Sequence, residues 1–177
     1  MKGHSKCPSR AARLARLQEV VDCHEAALLR YTARIVGNDD RARDIVQDAF
    51  LRLWKSDSPP EDSRVAQWLF AVCRNRAIDV VRKERRMDPL TDKAMASAEA
   101  GGVSPSEAVE RRETRGRLLR MIDDLPPSQQ EVIRLKFQNG FSYRQIAGIT
   151  GKSVSNVGVL LHAAIQALRR KLKVRPA

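Results

Sequence analysis

Residues 125–172 read LPPSQQEVIRLKFQNGFSYRQIAGITGKSVSNVGVLLHAAIQALRRKL. Two helical patterns meet in this stretch at a tight turn, Thr150-Gly151-Lys152. Ser142 caps a short helix over Tyr143–Ile149, and Ser153 caps a long one reaching Leu172, because a serine oxygen satisfies an orphan N–H of the first turn. Ala147 lies four residues before Gly151 and ten before Val157. The alanine allows close helix crossing, the glycine allows positive φ, and Val157 packs the second helix back on the first. This is helix-turn-helix spacing. The expected buried stripe is Val154, Val157, Leu161, Ala164, Leu168 and Leu172. The expected outward face is Ser155, Asn156, Val159, His162, Gln166, Arg169 and Lys173. Upstream, Ser128-Gln-Gln-Glu131 matches a capping box opening a helix that ends at Asn139–Gly140.

Charge supports a nucleic-acid partner. The chain of 177 residues carries 33 Lys or Arg against 21 Asp or Glu. Residues 132–177 hold nine bases and no acid. A solvated helical face mixes signs, whereas a one-sign subdomain suits phosphate contact. Residues 87–108 invert the balance, with four acids and one base, and are rich in small residues, Pro and Gly. That composition reads as a flexible linker. It divides the chain into a domain over 1–86, a linker over 87–108 and a domain over 109–177.

The rest of the pattern is helical, so the fold class is all-α: two small helical domains, the second containing the helix-turn-helix. Leu14, Leu17, Val21, Leu28, Tyr31 and Ile35 mark a first helix stopping at Gly37–Asn38. Asp39 or Asp40 caps a second, whose apolar face is Ala42, Ile45, Val46, Ala49, Phe50, Leu53 and Trp54. Ser56-Asp-Ser-Pro-Pro60 breaks it. A third runs from Arg64 to Arg86 with Trp68, Leu69, Val72, Ala77, Val80 and Val81 available for a core. A fourth spans Val109–Ile122. The third helix is basic toward its end: Arg74, Arg76, Arg82, Lys83, Arg85 and Arg86 against Asp79 and Glu84. Asn75 and Asp79 lie one turn apart and can hydrogen-bond base edges while nearby bases hold phosphates.

No uninterrupted apolar run reaches transmembrane length, so membrane insertion is not expected. Cys7, Cys23 and Cys73 have no CxxC spacing. His4 with Cys7, and Cys23 with His24, are weak metal signals, and ordinary thiols are the simpler reading. No nucleophile–base motif or phosphate loop appears. The expectation is no enzyme, no cofactor, no metal and no small-molecule substrate.

Taken together, these segments resemble the bacterial RNA polymerase sigma factors. YTARIVGNDDRARDIVQDAFLRLW (Tyr31–Trp54) and VAQWLFAVCRNRAIDVVRKERR (Val65–Arg86) resemble their second region, and Leu125–Leu172 resembles their fourth. A linker in place of a third domain is similar to the extracytoplasmic-function group. The resemblance implies a transcription initiation factor that binds core RNA polymerase and promoter DNA and assists strand opening. It further implies an anti-sigma factor as partner and a cytoplasmic place, where the anti-sigma factor is able to hold it at the membrane. By position, Asp44, Gln47, Asp48, Leu51 and Trp54 meet the polymerase. Arg74, Asn75, Asp79, Arg82, Lys83 and Arg86 meet the −10 strand, and Ser56–Arg64 forms the pocket for a flipped base. Arg144, Lys152, Ser153, Ser155, Asn156, Val159 and His162 meet the −35 element. The chain departs from many relatives in having no arginine just after Val157. A stand-alone helix-turn-helix regulator, or a DNA-processing enzyme using Tyr31 or Tyr143, are the alternatives. Both tyrosines occupy helix positions expected to be packed.

Overall fold

A computed structural model describes residues 10–87 and 116–173. The chain divides into two compact units, Met1–Ala96 and Ser97–Ala177. The expected linker beyond Met87, the expected helix from Val109 up to residue 115, and Cys7 lie outside the described residues.

Three helices make the first unit: α1 (Arg10–Val36), α2 (Asp39–Lys55) and α3 (Asp62–Met87). Each packs against the other two. Apolar residues at helical spacing meet in one core. Leu28 and Tyr31 come from α1, Ile45, Val46, Ala49, Phe50 and Leu53 from α2, and Val65, Leu69, Phe70, Cys73 and Ala77 from α3. The Tyr31 and Phe70 rings stack tilted, 5.1 Å between centroids. The buried stripe of α3 is therefore Val65, Leu69, Phe70, Cys73 and Ala77. Of the residues expected there, Trp68, Val72, Val80 and Val81 are only half-buried, because they flank that stripe on either side. Leu14 of α1 is exposed, since the helix begins before it reaches the body of the core.

The cap of α2 differs from expectation. Asn38 is the N-cap, its side chain accepting from the Arg41 N–H at 2.9 Å. Asp39 and Asp40 occupy the first turn instead, where their charge suits the helix dipole.

In the second unit, a helical segment over 116–123 (α4) precedes α5 (Pro127–Phe137), α6 (Tyr143–Thr150) and α7 (Val154–Lys173). The capping box expected at Ser128–Glu131 does not form. Pro126 is the N-cap and makes no side-chain bond. Pro127 opens the helix, where its missing N–H costs nothing. That places Ser128 inside the first turn, out of capping position. Gln130 turns inward and donates to the Asp123 and Leu125 carbonyls at 2.7 and 2.8 Å, which closes the α4–α5 corner. A capping box does form at Ser142: its hydroxyl accepts from the Gln145 N–H, and the Gln145 side chain accepts from the Ser142 N–H.

Arg134 is buried to 4% exposure and pairs with Asp123. Burial lowers its pKa, and the Asp123 carboxylate opposes that shift. Lys171 of α7 holds Asp124 at 2.7 Å, so α4 is tied to α5 and α7 through adjacent aspartates.

Candidate DNA- and polymerase-binding surfaces

Gly151 closes α6 in the left-handed conformation, φ 72°, with its N–H on the Ala147 carbonyl at 2.9 Å. Any residue with a Cβ is strained there. Ser153 accepts from the Asn156 N–H at 3.2 Å and starts α7. Val157, Leu161, Ala164 and Leu168 are buried against α5 and α6. Val154 and Leu172, expected in the same stripe, are exposed, because each lies a turn beyond the stretch of α7 that its neighbours cover. Ser155, Asn156, Val159, His162, Gln166 and Arg169 are all exposed, as the helical wheel requires once Val157 and Leu161 face inward. The Lys173 side chain lies outside the described residues.

Of the other expected −35 residues, Arg144 and Ser153 are exposed and Lys152 is half-buried. Tyr143 is also exposed rather than packed, which corrects the expectation for it. Its ring lies beside Gly158 of α7, and the Lys136 ammonium stands 5.7 Å above the ring centroid. Tyr31 is packed, as expected. The Tyr143–Lys136 pair has no signature in local spacing, because it joins separate helices.

On the first unit, Asp44, Gln47, Asp48 and Leu51 are exposed, with Gln47 and Asp48 three and four residues after Asp44 and Leu51 a turn beyond both. They form one stripe opposite the buried Ile45, Val46, Ala49 and Phe50. Trp54 differs from them. It is half-buried, its ring 5.1 Å beneath the Arg13 guanidinium, and its carbonyl accepts from Arg13 at 2.8 Å. Arg16 pairs with Asp62 at the start of α3. These two arginines of α1 therefore hold both ends of the segment joining α2 to α3. A cavity of about 230 Å3 lies beneath that segment, lined by Leu17, Val20, Trp54, Pro59 and Val65 among others. The i, i+3 spacing of Arg10, Arg13 and Arg16 was a visible signal that one face of α1 is basic.

On α3, Asn75, Asp79, Arg82, Lys83 and Arg86 are exposed, and Arg74 is half-buried. Asn75 and Asp79 stand one turn apart, with Arg82 and Lys83 on the following turn. Glu84 does not oppose them, because it pairs with Arg41 at the start of α2.

Cys23 is exposed, and His24 is half-buried, with its pKa lowered by burial. Cys73 is buried, and burial pushes its thiol up to about 12 against a weaker opposing effect of Thr32. Among the described residues no group of three His, Cys, Asp or Glu could hold a metal ion, and no helix is long and apolar enough to cross a membrane.

This architecture defines a class: an all-helical protein of two units, the second a helix-turn-helix unit with a basic surface. Comparison with known proteins gives the family. Residues 20–87 match the family model of sigma-70 region 2, and residues 115–168 match that of sigma-70 region 4. The chain is 33% identical over 167 residues to the ECF RNA polymerase sigma factor SigL of Mycobacterium tuberculosis, covering 92% of each chain. It is 30% identical over 165 residues to the ECF RNA polymerase sigma factor SigW of Bacillus subtilis, covering 88% of each. Among solved structures it resembles the sigma factor RpoE of Bartonella quintana, crystallised with the anti-sigma factor NepR. There the TM-score is 0.69 at 25% identity, over 91% of this chain and 99% of that one. The chain belongs to the ECF RNA polymerase sigma factors. It is a transcription initiation factor that directs RNA polymerase to promoters.

Proposed function

We propose a division of labour between the two units, with boundaries at 1–86 and 109–177 and a linker over 87–108. The first unit docks on core RNA polymerase through Asp44, Gln47, Asp48 and Leu51 of α2. Trp54 ends that surface and is held in place by Arg13. The observation that carries this reading is the α2 stripe. Two carboxylates, an amide and a leucine stand together in water on a helix whose other side is fully buried. A leucine exposed beside paired acids suits a protein partner better than a polyanion.

The same unit reads the −10 strand through Asn75 and Asp79, with Arg74, Arg82, Lys83 and Arg86 on the flanking phosphates. The segment 56–64, held by Arg13 and Arg16, receives a flipped base. Unstacking a base needs no catalytic group, since contacts to the extruded base offset the lost stacking. No reaction is assigned to the chain itself. The second unit lays α7 in the −35 major groove, with Arg144, Lys152 and Ser153 meeting backbone at its entry. Ser155, Asn156, Val159 and His162 face the bases. The likeness to a sigma factor solved with its anti-sigma factor supports such a partner here, and a cytoplasmic place for the chain.

Pull-down with purified core polymerase tests the reading. The full chain is expected to be retained, and Asp48→Arg is expected to lose retention while keeping its melting temperature. Equal retention of both would remove the α2 stripe from the interface.

A further inference from the structure

Before Arg169 the exposed face of α7 lacks the residue that most often reads DNA. Along its first three turns it presents Ser155, Asn156, Val159 and His162, and then Gln166, with no arginine among them. A bidentate guanine contact from arginine is thus unavailable there. Val159 is the exception to a polar face. It is 67% exposed, while the apolar residues two before and two after it, Val157 and Leu161, are buried in the core. Its exposure therefore contributes nothing to folding of this unit. A β-branched side chain in a helix is confined to nearly one rotamer, so Val159 presents two fixed methyl groups at little entropic cost on binding.

In the major groove only one base edge offers an apolar group of matching size, the C5-methyl of thymine. Asn156, one turn before Val159 on the same face, has the amide that pairs with adenine N6 and N7. Both chemistries point to A·T pairs. We infer that Val159 is a specificity-determining residue that reads a thymine methyl group in the −35 element. The inference rests on the proposed placement of α7 in that element. It turns the missing arginine from a gap in recognition into a preference for A·T.

The test starts with holoenzyme assembled from the full chain and core RNA polymerase. A duplex pool randomised across the −35 region is selected for binding. Each thymine of the enriched element is then replaced by deoxyuridine, which removes the methyl group and leaves base pairing intact. At one position the replacement is expected to weaken binding about fourfold, the value of one buried methyl group at ~0.8 kcal/mol. In Val159→Ala the two templates become equal, whereas Val159→Ile keeps the discrimination. The comparison of templates needs only the wild-type chain, so it does not depend on how a variant folds. Equal binding of thymine and deoxyuridine templates at every position overturns the inference, as does discrimination that survives in Val159→Ala. Enrichment of a −35 sequence without methyl dependence overturns the valine contact alone. No enrichment at all overturns the placement of α7 as well.

Discussion

The two units solve the same packing problem with different chemistry. Among the described residues, the first has a core that is apolar but for Thr32. The second buries Gln130, Arg134 and Thr150 and pairs the buried Arg134 with the half-exposed Asp123. Their surfaces differ in the opposite sense. The first exposes an acidic stripe on α2 and a mixed-sign face on α3. The second exposes a neutral reading face on α7 in a segment that carries nine bases and no acid after residue 131. On the proposed reading, a surface that fits a protein and an unpaired strand carries charges of both signs, and one that reads duplex keeps a positive surround around uncharged base-reading positions.

The largest expected effect lies in the first unit. Asp48→Arg places a cation in an acidic stripe, and binding to core polymerase should weaken at least about a hundredfold, near 3 kcal/mol. Asp48 is exposed, so thermal unfolding should be unchanged. A change in stability equal to the change in binding would make the stripe structural and erase the contrast between units.

On the second unit the sharpest test is the pair of buried Arg134 with Asp123. Removing one partner of a fully buried pair costs ~3–5 kcal/mol, while replacing it with apolar groups is near neutral. The Asp123 side chain is 35% exposed, so Asp123→Ala should cost less, on the order of 2 kcal/mol. Arg134→Met, which removes the buried charge, should cost less again. Denaturant unfolding of both variants checks the order. If Arg134→Met is the worse of the two, the guanidinium is positioning α5 through contacts the ion pair does not explain.

Within the first unit, Asn75→Ala should change preference at one or two −10 positions by about 1–3 kcal/mol. Lys83→Ala should weaken open-complex formation on all promoters alike and reduce the salt slope by about 1. Transcription in vitro from a −10 library separates them. A uniform loss in Asn75→Ala would move that residue from reading to support.

The smallest effects are on titration and thiol reactivity. The His24 pKa is lowered by burial, so the unfolded chain takes up a proton at a higher pH than the folded one. Stability should therefore fall as pH drops below the ordinary histidine value of ~6.5, and His24→Gln should flatten that dependence in a pH series of melts. Cys73, with its thiol pushed up to about 12, should resist alkylation in the native protein and react on unfolding. Cys23 should label at once. Peptide mass mapping reads both, and rapid native labelling of Cys73 would mean that the first unit opens more readily than its core implies.

What could be read from the sequence was whatever depends on near neighbours. The periodicity of α2, the Ser142 and Ser153 caps, the Gly151 turn and the outward face of α7 all follow from spacings within a turn or two. Two local readings failed because a competing residue took the role. Asn38 capped α2 ahead of the two aspartates, and Pro127 shifted the start of α5 so that Ser128 could not cap it. The remainder depends on contacts between distant residues. Arg13 over Trp54 spans 41 positions, and no periodicity reports it. Nor does any single helical wheel say that Val154, Tyr143 and Leu172 end in solvent, since their exposure depends on how far neighbouring helices extend. At the candidate sites, the residue types and their shared faces were legible. Which of them stand clear, as Asp48 and Val159 do, and which are held, as Trp54 is, needed the packed structure.

On the proposed reading, sequence recognition resides in both units together, acting on polymerase, and not in the helix-turn-helix alone. Run-off transcription from a promoter library measures it directly, using core polymerase with and without the chain, alongside footprinting of the free chain on the winning duplexes. Chain-dependent transcripts are expected from promoters sharing two separated elements, with only weak, salt-sensitive binding by the free chain. A strong sequence-specific footprint by the free chain, with no chain-dependent transcripts, would contradict it.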